Sequence, residues 1–534
     1  MPATIRPPGA EGYGAAPDAP GRPPRPIHIR PASWYRFGPM LWVKLDGDGA
    51  LHRQLYRALR AAILDGRLAP GQRLPSTRSF AKELSLSRNT VLQAVDQLVA
   101  EGYASGKVGS GTYVAAEIPK KPAARGLASP RGDEAGRDGT REPRLSASGA
   151  RLAMVAAPGR ASWSPWPELL PYDFRYGEPS YADLPMDTWS RLLSRRARRL
   201  SARRLAYQAP GGAVELREAL AGYLARARGV SCAPEQVIVV HGSQQAIDLT
   251  ARLLVDPGDT VVLEEPHYTG FSFCLAAAGA RLAHVGVDEH GLRIDGLEAV
   301  ADAKLACVTP SHQYPTGVVL SLPRRLALLD WAARRDAYVL EDDYDGEFRF
   351  DAKPIECLQA LDPGGRVIYV GTASKLLFPA LRIGWIVAPA ELAPWYLNAK
   401  ALADTGTPSL EQLALADFIA EGHLERHARR ARVRTAARRA ALLEAVDAEL
   451  AGRVNVLGAN AGLHVLVQVP GLDAHDVPRL RQACRELGVA VYPAAPFYAS
   501  PPRHAELLLG YGALPEDAIR EGISRLRRAM DQLG

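Results

Sequence analysis

Cysteine is scarce in this chain, and it is scattered. Five occur in 534 residues (Cys232, Cys274, Cys307, Cys357 and Cys484), with no CxxC pair among them. That argues against a disulfide scaffold and a zinc ribbon, and it fits a reducing, cytoplasmic setting. Long apolar runs are missing too. No stretch reaches the roughly 18 residues of a membrane span, and the N-terminus lacks an apolar core with a cleavage site, so neither an anchor nor a secretory signal is expected. No phosphate loop of Walker type is present, nor any internal repeat. Lysine is rare beyond residue 160, where Lys304, Lys353, Lys375 and Lys400 are all there are.

Acidic residues are short in the first third. Residues 1–160 hold 24 Lys and Arg against 13 Asp and Glu, a net +11, and the remainder holds 41 against 45, a net −4. The whole basic excess therefore sits at one end, which suggests a polyanionic partner for that part. It is spread, however. The excess is +3 in residues 1–40, +4 in 41–115 and +4 in 116–160. The flanks would add salt-dependent, sequence-independent attraction to DNA.

Length allows two or three domains, and 47% hydrophobic with 23% charged residues is a globular balance. Residues 1–40 are rich in Pro, Gly, Ala and Arg and read as a disordered tail. Residues 41–115 are compactly patterned. Residues 116–165 return to the Pro/Gly/Ala/Arg composition and read as a flexible linker. From 166 to 534, helical patterns alternate with short apolar strands such as QVIVV, TVVLEE, LACVTP, AYVLED and RVIYVG. That alternation predicts an α/β domain with a mainly parallel sheet.

In the small domain Leu51, Leu55, Leu59 and Ile63 recur every four residues and predict a helix that ends at Asp65-Gly66. Thr77 is placed as the N-cap of a second helix and Ser87 as the N-cap of a third. In the third, Val91, Val95, Leu98 and Val99 form the inner side, and Arg88, Asn89, Gln93 and Gln97 face out. YASGKVGSGTYVA then suits a hairpin. Arg88 and Asn89 lie in a first turn that offers free N–H groups to phosphates, and their side chains are those that read guanine and adenine in the major groove. Ser87 and Thr90 complete that turn. Arg78 and Lys107 would hold phosphates, setting register but not sequence. The same periodicity also suits a protein-contacting helical domain with a solvated polar face.

The large domain carries residues suited to pyridoxal phosphate (PLP). That group needs a lysine for an imine, a carboxylate for the pyridine nitrogen, a donor to the ring oxygen and a phosphate cradle. Lys375 lies in GTASKLLFPALRIGW, with Thr372 and Ser374 before it and Arg382 seven residues later. Hydroxyls and a guanidinium suit a phosphate. In AYVLEDDYDGEF a strand runs into acids at its carboxyl end, where open α/β sheets place ligands. Asp342 would meet the ring nitrogen and Tyr344 the ring oxygen. The alternative there is a Mg²⁺ site of Glu341, Asp342, Asp343 and Asp345. In IVVHGSQQAIDL, Ser243 and Gln244 open a helix, an anion site by geometry.

PGQRLPSTRSFAKELSLSRNTV, LVAEGY and GSGTYV together resemble the winged helix-turn-helix of GntR-type bacterial regulators. Leu92 stands where some members carry a second recognition-helix Arg. FRYGEPSYADLP, HGSQQAIDL, DPGDTVVLEEPHY, TPSHQYPTG, EDDYDGEF, GTASKLLFPALRIGW and LLLGYGAL resemble, in order, the fold-type I aminotransferases. The combination resembles the MocR-type regulators, over about 44–530. The resemblance implies PLP on Lys375 and ring contacts from Asp342 and Tyr344. It implies phosphate contacts from Ser243, Gln244 and Arg382, a stacking ring at Tyr268, and a reach by Tyr207 to the neighbouring subunit's phosphate. It implies a homodimer, a double-stranded DNA operator and a small amine or amino-acid effector, or PLP itself, as the signal. The alternative is an aminotransferase with an accessory DNA-binding domain. Two departures stand out. Tyr314-Pro315-Thr316-Gly317, after His312 and Gln313, replaces the Asn-Pro-x-Gly of classical aminotransferases. Leu508 lies roughly where many aminotransferases carry an Arg for the substrate carboxylate, with Arg503 nearby as a substitute.

Overall fold

A computed structural model of the chain describes residues 34–37, 41–107, 111–117, 144–155, 170–350 and 356–533. The chain divides into two compact units, 1–140 and 141–534.

The first unit holds helices Leu51–Leu64, Thr77–Leu84 and Arg88–Ala100, followed by the antiparallel hairpin Ala104–Lys107 with Gly111–Val114. Backbone bonds from residues 71–74 to Thr112 and Val114 extend the hairpin on its other side. Leu55, Leu59 and Ile63 are buried with Phe80, Leu84, Val91, Val95 and Leu98 in one core. The inner stripe of the third helix differs from expectation by one residue. Ala94 is buried and Val99 is exposed, because the helical repeat of 3.6 carries position 99 past the edge of the buried face. The second helix is capped by Ser76 and not Thr77: Ser76 Oγ accepts the Ser79 N–H at 3.2 Å. Ser87 caps the third, accepting the Thr90 N–H at 3.0 Å. Ser87→Ala should lower stability by about 1 kcal/mol, read as an earlier calorimetric transition of the small unit with the large one unmoved.

Two strands, Trp34–Phe37 and Leu41–Lys44, pair antiparallel across the expected tail boundary at residue 40. The rest of the tail lies outside the described residues. So does most of the expected linker, but residues 147–155 within it form a helix that packs on the helix Thr269–Ala278 of the large unit. Ser146 Oγ accepts the Gly149 N–H at 3.0 Å, and Arg151 Nε donates to the Ala277 carbonyl at 3.0 Å. Alanine-rich sequence behind a serine cap is helix-forming, a signal the overall composition hides.

The large unit is built on an eight-stranded sheet. Its order is Val237–Val240, Gly384–Val387, Val367–Thr372, Tyr338–Asp343, Ala303–Val308, Thr260–Glu265, Arg281–Asp288 and Gly291–Leu292. The five strands from 367–372 through 281–288 run parallel to one another. Gly384–Val387 is antiparallel to both neighbours. Runs such as Val237–Val240 and Val367–Thr372 are buried at every residue, as strands covered on both faces require. Alternate residues feed opposite layers: Val237 and Val239 pack with Trp189 and Leu216, and Ile238 and Val240 with Leu249 and Tyr396. After the long helix His423–Leu450, an antiparallel sheet carries helices Val477–Glu486 and Glu516–Asp531 around a core of its own.

Candidate functional site

Beside the carboxyl ends of the parallel strands lies a cavity of about 850 Å³. Ser243, Gln244, Tyr268, Asp342, Tyr344, Lys375 and Arg382 all line it. Seven of the eight residues named for the cofactor thus converge from segments spread over 140 positions.

The strand Tyr338–Asp343 explains the acidic run. Successive side chains of a strand point to opposite faces. Glu341 accepts the N–H groups of Leu358 and Gln359 at 2.7 and 2.9 Å. Asp343 is held by Arg228 through two bonds, of 2.6 and 2.9 Å, and by the Tyr369 hydroxyl at 2.8 Å. Of that strand's acids, Asp342 lines the cavity, joined by Asp345 just beyond the strand end. The four acids therefore do not converge, which removes the geometry a shared Mg²⁺ site would need. Asp342 is 4% exposed and its Oδ1 is buried without a hydrogen-bond partner. Burial, reinforced by the nearby Asp343, pushes its carboxyl up to about 7. A buried, unsatisfied carboxylate oxygen is costly, and a protonated ring nitrogen is the partner that satisfies it.

Lys375 Nζ donates to the Gly177 carbonyl at 2.8 Å. Burial holds its amine below the usual lysine range, opposed by Asp345, Asp342 and Glu178. The phosphate end is equally built. Gly242 has a φ of +85° and precedes the helix Ser243–Leu254. A Cβ at Gly242 would stand 3.2 Å from Arg382 Nη2, so only glycine lets that guanidinium close over the helix N-terminus. Thr372 Oγ1 donates to Ser374 Oγ at 3.0 Å beside it. The Gln244 side chain is turned elsewhere, bonded to Cys274 Sγ at 2.9 Å and accepting from the Tyr268 hydroxyl at 3.3 Å. Its backbone N–H is what it has to offer an anion. Lysine, unpaired carboxylate and anion cradle in one cavity fit PLP.

Tyr268 opens the helix Thr269–Ala278. Its ring is placed by a residue that sequence reasoning passed over: a Cβ at Gly270 would lie 2.2 Å from Tyr268 Cε1 and 2.6 Å from Gln244 Oε1. Tyr314, from the departed Asn-Pro-x-Gly segment, packs edge-on to Tyr268 and Tyr344 with ring centroids 5.7 and 5.8 Å away. Gln313 turns inward, donating to the Pro266 carbonyl at 2.7 Å. His312 Nδ1 lies 2.8 Å from the Tyr344 hydroxyl and 2.9 Å from Asp345 Oδ2.

Two further residues lie outside this cavity. Tyr207 is 93% exposed, outside the cavity in a shallow cleft with Arg203 and Arg204. Arg503 is exposed, at the loop before the strand His504–Gly510, and does not line the cavity. Nearness in sequence to Leu508 does not bring it in, because the strand between them turns its buried side to the core.

In the small unit Ser87, Arg88 and Asn89 are exposed at the start of the third helix, with Thr90 half-buried behind them. Arg78 is exposed on the second helix. Lys107 ends a hairpin strand, and its side chain lies outside the described residues. Gln97 is not free: its amide donates to Glu101 at 3.0 Å.

Among the described residues no helix is long and apolar enough to cross a membrane. The model of the gntR family of bacterial regulatory proteins matches residues 51–114, and that of aminotransferase class I and II matches 173–526. The chain is 40% identical to the probable rhizopine catabolism regulatory protein MocR of Rhizobium meliloti, covering 92% of this chain and 96% of that protein. It is 34% identical to the HTH-type transcriptional regulator TauR of Rhodobacter capsulatus, over 91% and 97% of the two chains. Among solved structures, it is similar to LysN, the alpha-aminoadipate aminotransferase of Thermus thermophilus, crystallised with N-(5'-phosphopyridoxyl)-L-leucine. That match has 32% identity and a TM-score of 0.62, and covers 68% of this chain and 92% of that one. The chain therefore belongs to the MocR-type transcriptional regulators, in which a DNA-binding winged helix of the gntR family is joined to an aminotransferase class I and II domain that uses PLP.

Proposed function

We propose that this chain is a cytoplasmic, homodimeric, effector-responsive regulator whose large unit binds PLP at Lys375 and reads a small amine there. The observation that carries the reading is one cavity shared by Lys375 Nζ and the unpartnered Asp342 Oδ1, in a chain whose other unit is a winged helix. When bound, PLP supplies a carbonyl that condenses with amines and a ring that withdraws electrons once its nitrogen is protonated.

Each residue's part follows from its surroundings. Lys375, its amine held below the usual lysine range by burial, offers its nitrogen for the imine. Asp342 holds the proton at the ring nitrogen. His312 donates its Nδ1–H to the Asp345 carboxylate, the stronger acceptor, so it has no lone pair for Tyr344. The Tyr344 hydroxyl proton is then left for the ring oxygen. Arg382, Ser243 and the Gln244 N–H hold the phosphate, with the helix dipole behind them. Tyr268 covers the ring face. The exposure of Tyr207 supports a role for it at the partner subunit's phosphate.

An amine that binds one conformation of the large unit better than another biases the pair of winged helices by that difference in affinity. On DNA, Arg88 and Asn89 read base edges, and Ser87, Thr90, Arg78 and Lys107 anchor the phosphates. Arg88→Ala should weaken binding to the control region of the chain's own gene by about 1–3 kcal/mol, roughly 5- to 150-fold. Fluorescence anisotropy measures this, and the cofactor absorption band should stay as it was. Loss of DNA binding and band together would mean misfolding and defeat the assignment. Sustained amino transfer at enzymatic rates would defeat the reading as a regulator.

A further inference from the structure

We infer that the effector of this chain is an amine without a carboxylate, bearing instead a second cationic group that Glu178 accepts. This rests on the cavity being the effector site.

The cavity has few positive groups to offer. Among the described residues its lining holds one guanidinium, Arg382, and one ammonium, Lys375. Arg382 is committed to the anion cradle, where Gly242 lets it lie against the helix N-terminus. Lys375 is the attachment point. The one other group that could turn cationic is His464, which is buried, bonded to the Pro315 carbonyl at 3.2 Å and held neutral, its imidazole pushed down to about 3 by burial. Most of the remaining wall is aromatic or aliphatic, including Tyr176, Tyr181, Leu184, Met186, Phe378 and Leu463. Behind it Leu508 is fully buried in an apolar cluster with Tyr314, Tyr492 and Phe497. Among the described residues of this chain, an effector carboxylate brought here would lose its hydration with no uncommitted guanidinium in the cavity lining to replace it.

Negative charge is available instead. Glu178 lines the cavity beside Gly177, whose carbonyl receives Lys375 Nζ. Its carboxylate, with 17% of the side chain exposed, lies 3.6 Å from Arg175. Arg175 is already paired with Asp173 at 3.0 Å, so one guanidinium serves two carboxylates. Of the other acids near the lysine, Asp345 is occupied by His312, and Asp342 is the one assigned to the ring nitrogen. Glu178 also interacts with the Tyr181 hydroxyl, but a carboxylate has about four acceptor sites, so it keeps acceptor capacity within the cavity. A second ammonium on the effector would complete it with a charge-assisted bond.

The test uses the PLP-loaded full-length protein and three amines of equal backbone length: 1,4-diaminobutane, butylamine and 4-aminobutanoate. The readout is the concentration that half-shifts the cofactor absorption band. The diamine should act at a concentration about tenfold or more below either other compound, equivalent to at least about 1.4 kcal/mol. Glu178→Gln should bring the diamine level with butylamine. Leu508→Arg should turn the preference toward 4-aminobutanoate, and Glu178→Gln decides the matter even if that variant fails to fold. A wild-type preference for 4-aminobutanoate, or no response to any of the three, overturns the inference while leaving cofactor binding intact. A protein with no band at the outset overturns the reading beneath it.

Discussion

Lys375→Ala should abolish covalent cofactor attachment. The absorption band of lysine-bound PLP disappears, and borohydride reduction, which in the parent locks PLP onto the peptide containing Lys375, labels nothing. Geometry separates Lys375 from the other described candidate lysines. Beyond residue 160 there are four lysines. Lys304 is exposed on the strand Ala303–Val308 and does not line the cavity. Lys400 is buried against Asp404 at 2.6 Å, and moving it would strand that carboxylate. Lys353 lies outside the described residues. Lys375 alone of those described reaches the cavity. The expected loss is complete rather than fractional, because among the described residues a missing nucleophile has no substitute within reach. The substitution removes one hydrogen bond, to the Gly177 carbonyl, so the fold and the winged helix should persist. Label on any other lysine in the parent would refute the assignment.

The second large effect is expected at a residue that touches no ligand. Arg228→Ala should destabilise the large unit by about 3–5 kcal/mol, the cost of leaving a buried charge without its partner. Arg228 and Asp343 are nearly inaccessible to solvent, with side-chain exposures of 4% and 2%. Arg228 also donates to Ser311 Oγ at 2.8 Å. Removing it leaves Asp343 with the Tyr369 hydroxyl for company, next to Asp342. Urea unfolding followed by tryptophan fluorescence reads the loss, and weaker PLP retention should accompany it, since the strand end that aims Asp342 is loosened. An unchanged urea midpoint would mean that water reaches Asp343 in place of the guanidinium. Pairing Arg228→Met with Asp343→Leu should recover part of the stability, because an apolar pair carries no desolvation penalty.

Much of the candidate site was legible as sequence because its parts sit where strands end or helices begin. The apolar run ending in Glu341-Asp342-Asp343 and the turn His241-Gly242-Ser243 mark such points by local pattern alone, and so does the small residue–lysine–apolar segment around Lys375. The serine at 87 announced a helix start for the same reason. The motif singled out Asp342, but pattern could not say why that acid, and not Glu341 or Asp343, faces the cavity. That depends on strand facing, on two backbone N–H groups at Leu358 and Gln359, and on a guanidinium 115 residues away. Gly270 carried no signal either. A glycine inside a helix reads as a weak helix former, and its reason is the Tyr268 ring that would otherwise collide with it. The helix at 147–155 was hidden by averaging composition over a window wider than the element.

By itself, the sequence determined the two-part architecture, the winged helix and its capped third helix, the mainly parallel sheet and a short list of candidate lysines headed by Lys375. Each rests on periodicity, caps or motifs confined to a few dozen residues. Tertiary structure supplied the reason that Asp342, and not Glu341 or Asp343, faces the cavity. It also decided that Tyr207 and Arg503 stand outside, that Gly242 and Arg382 close together, and that the cavity offers an acid and a largely apolar wall. Those outcomes are set by packing between segments far apart in the chain, and the free energy of such contacts is not encoded in any one stretch.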